Sequence, residues 1–120
     1  MLINLTNHPS KYWCAKQIEA ASVYGEIVDM PFPEIDETAD ETYISTLADR
    51  YFQEIIAVAS NTSVTVHLMG ELTFTYALLK RLQLHDILCI ASTSRRIVKE
   101  DMLGLKKEVL FQFERFRKYE

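Results

Sequence analysis

The sequence predicts an α/β fold: a three-layer sandwich of four mainly parallel strands with a C-terminal antiparallel hairpin, in the order βαβαβαβββ. Three observations predict it. Short apolar, β-branched runs alternate with longer stretches of helical periodicity as far as residue 91. Prolines and glycines fall at the borders of these runs. No helical stretch separates the last three runs, so they pair antiparallel.

Residues 2–6 read as the first strand, with Ile3 and Leu5 inward. Pro9 breaks it, and Ser10 is a good N-cap for a helix over residues 11–24 that Gly25 stops. Residues 26–30 form the second strand, ended by Pro31 and Pro33. An acidic connection over residues 34–41 leads, with Thr38 or Asp40 as cap, into a helix over residues 41–60. There Ile44, Leu47, Ala48, Tyr51, Ile55 and Ala59 recur every three or four residues along one face.

Val64, Val66 and Leu68 mark the third strand, Gly70 a turn needing backbone angles that other residues resist, and residues 72–82 the third helix. Residues 87–91 are nearly all apolar, as in a strand buried on both faces. Residues 92–96 read as a loop. Residues 97–100 and 109–113 read as two further strands joined by a hairpin turn at Met102–Leu105. The βαβ units carry right-handed crossovers, a Rossmann-like arrangement with helices on both faces.

A chain of 120 residues with 48% hydrophobic content is one domain with a real core, residues 1–120. There is no apolar run long enough for a membrane span and no signal-peptide pattern at Met1–Thr6, so a cytoplasmic protein is expected. A net charge of −4 argues against a binder of duplex DNA. Cys14 and Cys89 read as small buried apolar residues. The histidines are not at metal-site spacing, and GxGxxG, Walker and GxSxG motifs are absent, so no metal or cofactor is expected.

In such sheets, ligands bind beyond the carboxyl ends of the parallel strands. Three segments should meet there: Asn7-His8-Pro9-Ser10, Met69-Gly70-Glu71-Leu72-Thr73 and Ser92-Thr93-Ser94-Arg95-Arg96. The start of the third helix offers backbone N–H groups to an anion, and Gly70 with Thr73 adds to that cradle. Glu71 argues the other way, since a carboxylate there takes the anion's place. Arg95 and Arg96 suit phosphate, and the loop histidine His8 offers an acid or base. His67, inside the third strand, reads as a hydrogen-bonded sheet residue. Tyr12 and Trp13 read as core packing rather than as a stacking surface.

The stretches Asn4–Ser10, Gly25–Pro33, Val66–Phe74 and Ala91-Ser92-Thr93 resemble a family of small stand-alone bacterial proteins associated with CRISPR loci. They also resemble the wider group of CRISPR-associated Rossmann-fold (CARF) domains and ring nucleases. The likeness covers nearly the whole chain. It implies a cyclic oligoadenylate bound at the strand ends, commonly across a homodimer two-fold, and its metal-independent cleavage by attack of a ribose 2′-hydroxyl. On that likeness His8, Glu71 and Arg95 form the catalytic set. Asn7, Ser10, Gly70, Thr73, Ser92, Thr93, Ser94 and Arg96 hold the ligand. The chain departs from the group's double-glycine turn, because Glu71 follows a single glycine. Two other readings stand beside the enzyme: a non-catalytic sensor or sponge for the cyclic nucleotide, and a small dimeric interaction protein.

Overall fold

The sheet forms where the sequence is most apolar. Leu2–Leu5 (β1) is buried at every position, and Thr65–Leu68 (β3) at all but the first. They run parallel, with Leu2 opposite Thr65 and Asn4 opposite His67. Ile27–Asp29 (β2) lies parallel on the other side of β1. Leu88–Glu100 (β4) runs parallel to β3 along Leu88 to Ile90. Lys107–Lys118 (β5) returns antiparallel along β4. The computed structural model describes residues 1–120, and the strand order is β2-β1-β3-β4-β5.

Side chains alternate across the sheet, so each strand feeds two cores. Ile3, Leu5, Val66 and Leu68 face Glu41–Ala59 (α2) and Leu72–Leu84 (α3), packing against Ile44, Phe52, Ile55, Phe74 and Leu78. Leu2 and Ile90 face the other way, toward Ala15–Ala21 (α1), with Trp13, Ala21, Phe113 and Phe116. This is the Rossmann-like sandwich the sequence predicts. Asp40 is the cap of α2, accepting from the Tyr43 N–H at 3.1 Å. No helix is long and apolar enough to cross a membrane.

Two elements differ from expectation. The helix over residues 11–24 is broken into a 3₁₀ turn (Ser10–Tyr12), α1 and a second 3₁₀ turn (Ser22–Tyr24). The cause is Trp13. Its indole N–H donates to the His8 carbonyl at 3.1 Å and its ring is buried, which holds Trp13 and Cys14 extended. Cys14 is therefore exposed, not buried, and so is Tyr12, at 64%.

The segment Ser92–Arg96 is strand, not loop. β5 gives β4 a ladder from Ile90↔Lys118 to Glu100↔Lys107, with one irregularity at Thr93/Ser94 where Glu114 is left over. The two expected strands on either side are thus one, and the order is βαβαβαββ. The hairpin turn is pinned by Asp101, whose carboxylate accepts from the Leu103 and Leu105 N–H groups at 3.2 and 2.7 Å.

Candidate functional site

With this strand order, the chain leaves β1 toward one face of the sheet and leaves β3 toward the other. A crevice opens between their carboxyl ends. A cavity of about 470 Å³ lies there. Thr6, Asn7 and His8 border it from the end of β1, and His67, Met69 and Gly70 from the end of β3. Ser92 and Ser94 of β4, Phe111 and Phe113 of β5, and Gln17 of α1 complete it.

Its floor is a buried polar network centred on Asn4, which is 1% exposed. The Asn4 amide nitrogen donates to the His8 carbonyl at 3.0 Å and to Asp29 Oδ1 at 2.8 Å. Its oxygen accepts from the Thr6 hydroxyl at 3.0 Å and faces His67 Nδ1 at 2.9 Å. These partners fix the amide's orientation, since only its NH₂ end can meet a carbonyl and a carboxylate. Asn4 Oδ1 is an acceptor, so His67 Nδ1 carries the proton and Nε2 carries the lone pair. Burial, reinforced by repulsion from His8, pushes the His67 imidazole down to about 4, so the ring is neutral near pH 7. Nε2 is buried and has no partner. Trp13 and Phe116 meet the ring edge-on at 5.6 and 5.2 Å between centroids.

The residues chosen from sequence divide into two groups. Asn7, His8, Gly70, Ser92 and Ser94 meet around the cavity. Ser10, Glu71, Thr73, Thr93, Arg95 and Arg96 do not border it. Ser10 does not cap α1. Its N–H and hydroxyl donate to Asp29 at 3.0 and 2.7 Å. Partial burial raises the Asp29 carboxyl, but hydrogen bonds from Asn4 and Ser10 outweigh this and hold it below the usual carboxylate value.

Glu71 caps its own helix. Its carboxylate accepts from the Thr73 and Phe74 N–H groups, both at 2.9 Å, and from the Thr73 hydroxyl. Slight burial raises Glu71, and these bonds overcome that and lower it. The anion cradle expected at this helix start is thus filled by the chain itself. Glu71→Ala is expected to destabilise the fold by about 1 kcal/mol, measured by urea unfolding, as loss of a helix cap does.

Thr93 is tied into the sheet through the backbone of Arg115. Arg95 lies 3.6 Å from Glu114, which also holds Lys16 at 3.3 Å. Arg96 is exposed, opposite Phe111 in register.

Gly70 is needed for space rather than for unusual angles, since its φ is not positive. A Cβ there would stand 2.2 Å from the Phe32 ring, which packs edge-on against Phe74 at 5.3 Å. Gly70→Ala is expected to cost about 1–3 kcal/mol by forcing the ring aside, read as a lowered urea midpoint at unchanged slope.

Sequence reasoning missed Asn4, Gln17 and Phe111 and passed over His67. Its reading of His67 as a hydrogen-bonded sheet residue holds for Nδ1 only. One signal was present: each of two apolar strands carries a single inward polar residue, Asn4 and His67, and these are register partners. No group of three or more His, Cys, Asp or Glu residues is placed to hold a metal ion.

Residues 1–117 match the family described as Uncharacterized protein MJ1673 family. No curated protein and no solved structure matches the chain.

Proposed function

The chain belongs to that family, and we propose that it binds a cyclic oligoadenylate in the cavity at the ends of β1 and β3. The observation that carries this reading is convergence. Asn7 and His8, Gly70, and Ser92 and Ser94 come from three separate segments and border one cavity at the switch point of the sheet. The cavity offers amide, hydroxyl and imidazole groups beside aromatic rings, a lining suited to a nucleotide. A homodimer belongs to the same reading, since a symmetric ring suits a two-fold axis. So does a cytoplasmic location.

Cleavage of the ring is the finer form of the proposal. Attack of a ribose 2′-hydroxyl on its adjacent phosphate forms a 2′,3′-cyclic phosphate and breaks the bond to the next 5′-oxygen, which leaves taking a proton from solvent. His8, exposed at the cavity and stacked loosely on Tyr12 at 6.4 Å, is the group available to take the 2′ proton. Arg96, which makes no ion pair, is the cation left to meet charge on the phosphate. Glu71 and Arg95 are engaged elsewhere and drop out of the catalytic set. Binding without cleavage is favoured by a different observation: no Lys or Arg borders the cavity.

Incubation with cyclic tri-, tetra- and hexa-adenylate without added metal separates these readings. Products are followed by chromatography and binding by thermal shift on the same samples. Saturation at ~100 times the dissociation constant adds roughly 2.7 kcal/mol of stability. Linear products that disappear in His8→Ala support the enzyme. A thermal shift without products supports a sensor or sponge. Silence toward all three rings refutes the proposal and leaves the dimeric interaction protein.

A further inference from the structure

Building on the ligand-binding reading above, we propose that the cavity takes the base of the ligand rather than its phosphate, and that His67 and Gln17 read a purine through its exocyclic amino group. The electrostatics of the site point this way. A phosphate at a strand end is ordinarily held by a helix start or by cations. Here the backbone N–H groups of Thr73 and Phe74 are taken by Glu71, and that of Ser10 by Asp29. A phosphate in the cavity would meet no Lys or Arg on its wall.

The unpartnered groups ask for something else. His67 Nε2 is a buried lone pair. In the neutral ring it cannot become a donor without surrendering the Nδ1–H bond to Asn4, which the rest of the network holds in place. Such a group needs an incoming N–H. A phosphate oxygen brings only lone pairs, whereas an exocyclic amine brings two N–H donors. Gln17 borders the cavity at 6% exposure, and its side-chain amide makes no hydrogen bond within the protein but, unlike His67 Nε2, keeps some access to solvent. A glutamine amide pairs with the amino group and the adjacent ring nitrogen of adenine. Phe111, on the cavity wall, is 71% exposed, and a stacked base would cover it. Its cross-strand partner Arg96 lies on the same face, outside the cavity, where the ligand's phosphate would emerge.

The test is calorimetric titration with adenosine, N6,N6-dimethyladenosine, inosine and inorganic phosphate, beside cyclic tetra-adenylate and its N6-dimethylated form. The expected result is that each adenine ligand binds about tenfold or more tightly than its dimethylated form, and adenosine likewise than inosine. Inorganic phosphate should fail to displace adenosine. His67→Gln and Gln17→Leu should each remove most of this discrimination. Gln17 lies on α1, so its variant keeps the test decisive if the His67 variant does not fold.

Equal binding of methylated and unmethylated ligands overturns the base pocket, as does retained discrimination in Gln17→Leu, displacement by phosphate, or the absence of any binding. Discrimination among nucleosides without binding of the cyclic ligand supports the base pocket while refuting the cyclic oligoadenylate reading. Binding of the cyclic ligand regardless of methylation does the reverse.

Discussion

Replacing Asn4 with leucine is expected to lower the unfolding free energy by about 1–3 kcal/mol, although the two side chains are close in size. Asn4 serves a carboxylate, a carbonyl, a hydroxyl and an imidazole at once. Leucine leaves His67 with both ring nitrogens unpaired, since Nε2 already lacks a partner. It also removes one of the three donors to Asp29. A buried group left unsatisfied costs about 1–3 kcal/mol, and the His67 Nδ1–H is the one created, since Asp29 and the His8 carbonyl are exposed and keep other donors. Aspartate is no remedy, because it would bring a second carboxylate against Asp29. Urea unfolding of Asn4→Leu measures the loss, and a change below about 1 kcal/mol would show that the network is not coupled to folding.

Acid is expected to remove about 2 kcal/mol of stability by about pH 5, before the carboxylates begin to titrate strongly, and about 3 kcal/mol by about pH 4. His67 takes its proton near 6.5 in the unfolded chain and near 4 in the folded one, because burial disfavours the cation. Between those values the unfolded chain binds a proton that the folded chain refuses. Stability is therefore complete above the upper value and falls as pH drops toward the lower one. Asp29 and Glu71 are depressed carboxyls, so they extend the same slope to lower pH, where their hydrogen bonds are lost on protonation. Denaturant unfolding from about pH 7 to about pH 4 should show the fall. His67→Gln should flatten the upper part of the curve and leave the lower part. An unchanged upper slope in that variant would assign the acid sensitivity elsewhere.

What was legible in the sequence was whatever apolar periodicity records. β1, β3, α2 and α3 sit close to their expected positions because each buries a continuous face or stripe. Ser92–Arg96 was misread because that part of β4 is backed by little, so hydroxyls and charges occupy both faces and a strand looks like a loop. The break at Trp13 and Cys14 was invisible because it depends on one indole reaching a carbonyl five residues back. The floor of the cavity was harder still. Asn4 meets Asp29 across 25 positions and His67 across 63, and such distances leave no local pattern. Glu71 is the instructive case. The sequence signalled that its carboxylate would compete with an anion, and the structure shows it seated at the helix start.

From Ser94 to Gln112 every residue except Ile97 is exposed, so the outer half of the β4–β5 hairpin stands away from both cores. A two-stranded ribbon without a packed face is marginal by itself. Amide hydrogens along a single strand should therefore exchange in two regimes. Those from Leu88 to Ala91 open only when the whole domain unfolds, and those beyond Ser94 open by local fraying, with a step where the ladder is irregular. Ser94 and Phe111 stand on the fast side of that step, and Asn4 and His67 on the slow side. The cavity thus joins a rigid floor to a wall that can open and close many times within one lifetime of the folded sheet.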